Sequence, residues 1–261
     1  MLRRVTIGVV VCVFLAAVAA GGINSVVGSG TLVTFPTLLA VGFEPISANV
    51  SNSLGLVFGG VTATWGYRRE LAGQRGLVLR LLPVSAVGAL SGAFLLLALP
   101  PGAFEAVVPV LIVAAVVLVL VQPWWAGALA RRHEGDGAGV PGRWRVVLLV
   151  GVFLTGVYGG YFGAAQGVLL IGLLGVLLTV SLRQVVAVKN VLGAVVNGLA
   201  AVVFLVTCPQ RVDTAAVVVI AAGSLAGGAL GARVGRSLSP VALRAAIVAV
   251  GSVAAVSLVL C

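Results

Sequence analysis

Polar side chains are scarce in this chain, so the places where they gather are informative. Two glycine-rich interruptions, Gly21 to Gly30 (GGINSVVGSG) and Tyr158 to Gly167 (YGGYFGAAQG), break otherwise apolar sequence. The first presents Asn24, Ser25, Gly28, Ser29 and Gly30, with Thr31 directly after it; the second presents Tyr158, Tyr161, Gln166 and Gly167. Glycines let backbone N–H groups approach a ligand, and a helix starting at such a break aims its partly positive N-terminus at it. That chemistry suits a negatively charged solute. Packing is the alternative for any one of these side chains, because glycine relieves crowding between helices and Ser or Thr can bond back to its own backbone.

Asn49, Asn52 and Ser53 form a further polar group, mirrored later by Lys189, Asn190 and Asn197. Lys189 is the most informative single residue, since an ammonium at membrane depth is costly without an anion or acceptor beside it. Its alternative is snorkelling, because it lies about one and a half turns past Arg183. For Asn52 and Asn190 the alternative to substrate contact is hydrogen bonding between helices. The acids Glu44, Glu70, Glu105, Glu134, Asp136 and Asp213 all fall in loops or at helix ends, so no carboxylate relay of the kind used by proton-coupled pumps crosses the membrane. The expected cargo is an anion.

Enzyme chemistry finds no support. His133 is the one histidine, and Cys12, Cys208 and Cys261 stand alone without metal-ligand spacing. There is no Ser/His/Asp set, zinc-protease motif or cofactor fingerprint, so neither a metal nor a cofactor is expected.

The elements that must position these residues follow from composition. Hydrophobic residues make up 61%, charged residues 8%, and mean hydropathy is +1.25, against about 25% charged residues in a soluble domain. The chain reads as an all-α, polytopic membrane protein, with room for eight to ten segments at about 20 residues per crossing. The net charge of +10 is then topological information rather than a sign of nucleic-acid binding. Met1 to Ala20 is expected to stay as the first membrane helix, although Ala17-Val18-Ala19 resembles a signal-peptide cleavage site. Thr31 to Val41, carrying Pro36, is too short to cross alone, so helices one and two are discontinuous. Ser47 to Tyr67, Leu77 to Leu99 with a GxxxG at Gly88 and Gly92, and Phe104 to Val121 complete five segments. Trp65, Tyr67, Trp124, Trp125 and Trp144 are expected as interfacial anchors.

Sliding the chain along itself reveals a repeat. At an offset of 138, Gly21-Gly22 falls on Gly159-Gly160, Asn52 on Asn190, Leu54-Gly55 on Leu192-Gly193 and Gly60 on Gly198. At 139, Gly88 and Gly92 fall on Gly227 and Gly231, and Pro101 on Pro240. The expected organisation is a first membrane repeat at 1–121, a cytoplasmic linker at 122–145 and a second membrane repeat at 146–261. Five crossings per half place 13 of the 16 basic residues on the linker side, against 11 for four crossings. The positive-inside rule therefore favours inverted repeats, each with a discontinuous first helix, although Arg3 and Arg4 pull the other way.

The stretch GGINSVVGSGTLVTFPTLLAVGFEPISANVSNSLG resembles the TauE/SafE sulfite exporter family of the TSUP superfamily. YGGYFGAAQGVLLIGLLGVLLTVSLRQVVAVKNVLGAVVNGLAAVVFL is similar to that family's second repeat, and GGALGARVG to its late helix. The resemblance implies a multi-pass permease of the bacterial inner membrane for small sulfur-containing anions such as sulfite or organosulfonates. The chain departs from the family where Ala164-Ala165-Gln166 replaces a run of glycines, which puts a side-chain amide where bare backbone would be expected. The expected mechanism is alternating access, with the anion held between the repeats by backbone N–H groups, Asn52, Asn190 and Lys189. A passive anion channel and a non-transporting membrane assembly subunit are the other readings. The expected partners are the anionic solute, the lipid bilayer and, for a homo-oligomer, further copies of the chain.

Overall fold

The computed structural model describes residues 7–130, 142–178 and 180–234. All regular structure in them is helical: α1 (Ile7–Val26), α2 (Thr31–Ala40), α3 (Pro45–Gly66), α4 (Arg75–Ala98), α5 (Pro101–Ala130), α6 (Gly142–Tyr161), α7 (Gln166–Leu177), α8 (Leu182–Thr207) and α9 (Thr214–Val234), with a 3-10 turn at Pro209–Arg211. Six of these, α1, α4, α5, α6, α8 and α9, contain stretches long and apolar enough to cross a membrane. At 1.5 Å per residue α2 and α7 reach only about 15 and 18 Å, half of a hydrocarbon core. The 22 residues of α3 are long enough but too polar for that class, and its first three turns, Ile46 to Leu56, are almost wholly buried inside the molecule.

Local sequence explains where several helices begin. Pro45 occupies the first turn of α3, where its missing N–H costs nothing. Ser181 and Gln184 form a capping box at the start of α8. The Asp213 carboxylate accepts from the Ala216 N–H at 2.9 Å and starts α9.

One expected boundary is corrected. The helical breaks are narrower than the glycine-rich stretches: α1 continues through Gly21 and Gly22 to Val26 and α6 continues to Tyr161, leaving only residues 27–30 and 162–165 irregular. The glycine pairs stay helical because neighbouring helices press against them. Both ends of the stretch 122–145 are helical, since α5 runs on to Ala130 and α6 begins at Gly142. Arg131, Arg132, His133, Glu134 and Asp136 lie outside the described residues, as do Arg3, Arg4, Arg236, Pro240, Arg244 and Cys261, and the side chains of Trp124 and Trp125 are likewise outside them.

The two halves are packed crosswise. In the first half α1 lies along α9 of the second, while α4 lies along α6. Small residues make both contacts possible: a methyl group at Gly21 would collide with the Ser224 carbonyl, and one at Gly227 with the Val18 carbonyl. Likewise a methyl at Gly92 would strike the Val157 carbonyl, and one at Gly160 the Ala89 carbonyl. Backbones this close gain dispersion contacts, which drive helix association in lipid. The GxxxG at Gly88 and Gly92 is therefore an interface with α6, and its echo at Gly227 and Gly231 an interface with α1.

At the centre, Phe35 of α2 meets Phe162 edge to face at 5.1 Å, and Phe104 of α5 meets Tyr161 at 5.6 Å. Large apolar side chains such as Leu79, Val110, Leu154 and Val206 point outward, as a lipid-facing surface requires. Trp65 and Trp144 are exposed in the manner of interfacial anchors, but Tyr67 is buried in the cluster with Leu81, Leu170 and Val185. A phenol in such a place is a core residue rather than an anchor.

Candidate functional site

The crosswise packing brings the two breaks together. The Gly167 N–H donates to the Gly28 carbonyl at 3.0 Å, so the first break of one half is tied to the second break of the other. Gly28 adopts φ +87°, a left-handed conformation open to glycine. Ala165, at φ 59°, is the one non-glycine residue in that region among the described residues, directly before α7. Backbone held in this way carries roughly 1–2 kcal/mol of strain and marks where the chain is held against its preference.

Beside this tie lies a polar cavity of about 40 Å³, room for two or three water-sized occupants. Asn24 and Gly28 supply one wall, Thr31 and Gly60 with Ala63 a second, and Gly163, Gln166 and Gly167 a third. The last wall is one face of α8, where Lys189, Asn190, Gly193, Ala194 and Asn197 recur at helical spacing.

Lys189 is 2% exposed, and its ammonium donates to the Asn24 carbonyl at 2.6 Å. It does not snorkel. That carbonyl belongs to the last turn of α1, whose partly negative end favours a cation. Of the acids, Glu44, Glu105 and Asp213 are exposed and Glu70 is half-buried, so no described carboxylate is buried alongside Lys189. The neighbouring Asn190 donates to the Ser25 carbonyl at 3.1 Å. Across the molecule Asn49 of α3 donates to the Tyr161 carbonyl, at the end of α6, at 3.0 Å. Each long polar helix thus holds the C-terminal end of the other half's first helix.

Several backbone N–H groups at the breaks are engaged within the protein: Gly28 with the Ile23 carbonyl, Gly163 with the Tyr158 carbonyl, and Gly30 with Asn24 Oδ1 at 2.9 Å. The amide nitrogen of Gln166, by contrast, is buried with no hydrogen-bond partner among the described residues. It lies against Gly159, where a methyl group would collide with the amide carbon. A side chain therefore offers a spare donor beside the break.

Of the residues expected at the site, Asn24, Gly28, Thr31, Gln166, Gly167, Lys189, Asn190 and Asn197 line the cavity. Ser25, Ser29, Gly30, Asn49, Asn52, Ser53, Tyr158 and Tyr161 do not. Asn52 accepts from the Thr34 hydroxyl and donates to the Thr31 hydroxyl at 3.3 Å, bracing α2 on α3. Ser25 bonds back to the Gly22 carbonyl at 2.8 Å. Gly60, Ala63, Gly163, Gly193 and Ala194 line the cavity without having been singled out as site residues; their contribution is space, which no polar motif announces.

Asn52→Ala is accordingly expected to act on stability. Losing two buried hydrogen bonds costs about 1–2 kcal/mol, read as a lowered melting temperature, while any ligand-induced rise in melting temperature keeps its size.

Residues 13–258 match the family described as "Sulfite exporter TauE/SafE". Among curated proteins, the chain is 32% identical over 158 residues to "Probable membrane transporter protein ORF9" of Sinorhizobium sp, covering 59% of this chain and 56% of that one. It is 29% identical over 155 residues to "Probable membrane transporter protein YfcA" of Escherichia coli (strain K12), covering 59% and 54%. The matched part thus spans about half the length of these curated relatives. No solved structure matches the chain.

Proposed function

Since the chain belongs to the sulfite exporter TauE/SafE family, we propose that it is a secondary transporter carrying a small sulfur-containing anion, such as sulfite or an organosulfonate, across the bacterial inner membrane. The meeting of both helix breaks at one polar cavity beside a buried Lys189, with no buried carboxylate among the described residues, carries this reading. The ammonium supplies charge, and Gln166, Asn190 and Asn197 supply neutral donors. Discontinuous helices meeting at a buried site are the usual build of secondary transporters. Relatives whose names describe membrane transporters point the same way.

The two units, 1–121 and 146–261, are inverted repeats in this proposal, joined by a cytoplasmic linker at 122–145. Reciprocal packing of α1 on α9 and of α4 on α6 supports such a pseudo-two-fold relation. It also alters the expected motion. With each half zipped to the other by glycine contacts, the bodies that move during alternating access each draw helices from both halves rather than being the repeats themselves.

A thermal-shift series on purified protein tests the cargo. Sulfite, thiosulfate, sulfoacetate, taurine and sulfate are compared, and the carried anion is expected to raise the melting temperature selectively. At a hundredfold excess over its Kd it adds about 2.7 kcal/mol to native stability. Equal melting temperatures with all five would remove the sulfur-anion assignment, and non-saturating currents in reconstituted membranes would replace the transporter by a channel.

A further inference from the structure

A second concave feature lies on the opposite side of α8. Val191 follows directly on Lys189 and Asn190, which face the anion cavity, but it lines a separate groove of about 410 Å³ with Arg68, Leu71, Ala72, Arg75, Val78 and Leu79. This groove is ten times larger than the cavity and lies in the size range of pockets for organic ligands.

Its chemistry is divided. The floor is aliphatic, from Leu71, Val78, Leu79 and Val191, and Leu79 is 71% exposed. Arg68 and Arg75 supply positive charge, and the segment 68–80 holds four arginines, Arg68, Arg69, Arg75 and Arg80, against Glu70. Arg68 is held in place: its guanidinium carbon lies 4.2 Å from the Trp65 ring centroid, and it donates to the Trp65 carbonyl at 3.1 Å. Trp65 is itself 62% exposed, and exposed tryptophans of membrane proteins sit at the headgroup level. The arginines therefore lie where phosphates of a bilayer lie, above a hydrocarbon-lined floor.

We propose that this groove binds an anionic phospholipid. Arg68 and Arg75 take the phosphate, and an acyl chain runs along Val78, Leu79 and Val191. A hydrated inorganic anion fits poorly, because an aliphatic floor offers it no hydrogen bonds. A zwitterionic lipid fits less well, because its own cation meets the arginine cluster. The site is separate from the transport cavity and does not depend on what that cavity carries.

Native mass spectrometry of the full-length protein in detergent, with phosphatidylglycerol or phosphatidylcholine added, tests this. Phosphatidylglycerol is expected to bind roughly tenfold more tightly, the scale of a few basic contacts at a membrane surface. The double variant R68Q/R75Q is expected to lose that preference with its melting temperature unchanged, since both side chains are exposed. L79S, also at an exposed position, keeps the charges and is expected to weaken both lipids. Equal binding of the two lipids by the native protein, or an undiminished preference in R68Q/R75Q, overturns the proposal. So does displacement of phosphatidylglycerol by millimolar inorganic phosphate from native protein, which would make the groove a site for a bare anion.

Discussion

Lys189→Met is expected to give a protein at least as heat-stable as the native one that no longer takes up its anion. The two effects have opposite signs because one residue serves two states. Without cargo, Lys189 is a buried ammonium supported by the Asn24 carbonyl and the end of α1, with no buried carboxylate among the described residues. Replacing a buried charge by an apolar side chain of similar length is often neutral or stabilising. In the proposed function the ammonium pairs with the anionic cargo, and losing one member of a buried charge pair costs about 2–5 kcal/mol, roughly thirtyfold or more in affinity. Lys189→Arg does not rescue, because the Lys189 stem already lies tightly against Gly28 and Gly167. Uptake into proteoliposomes and melting temperature, measured on the same preparations, decide the matter. A Met variant that transports normally would place the anion elsewhere.

Gly28→Ala is expected to cost more stability than other single methyl additions near the site. Its φ of +87° disfavours any side chain, and the added carbon would collide with the Gly167 Cα. The obstacle is backbone on both sides, so relief requires lifting α2 or α7 and breaking the Gly167–Gly28 hydrogen bond. A loss of about 3 kcal/mol or more is the scale of such an event, well above the usual substitution. Gly193→Ala provides the contrast, because a methyl there meets nothing within 4 Å. In mid-helix it is expected to raise stability by up to about 1 kcal/mol while narrowing the cavity. Melting temperatures of the two alanine variants should therefore move in opposite directions; parallel shifts would mean that the breaks do not touch.

Much of this arrangement could be read from the residues. The two interruptions, the short helix after the first, and the place of Lys189 inside the molecule all follow from apolar sequence broken by glycine and one cation. What could not be read was pairing. Glycines at Gly21 and Gly92 announce a small-residue face, but nothing in their spacing names α9 or α6 as the partner. Equal spacing also misled for Asn52 and Asn190. They match at an offset of 138, yet Asn52 is occupied by two threonines of its own half, whereas Asn190 reaches across to α1 and lines the cavity. The cavity's own volume was illegible for a simpler reason: Gly60, Gly193 and Ala194 contribute by being small, and glycine and alanine are everywhere in this chain.

The crosswise contacts also set an order for making the protein. Gly92 and its partner Val157 are 65 positions apart in the chain, but Val18 and Gly227 are 209 apart. At ribosomal speeds of about 5–20 residues per second, α1 waits roughly ten to forty seconds in the bilayer for α9 to be translated. During that interval the glycine-bearing face of α1 lacks its α9 partner, and Lys189 is made 165 residues after the Asn24 whose carbonyl it reaches. Among the described helices, α1 thus waits longest for its main packing partner to be made.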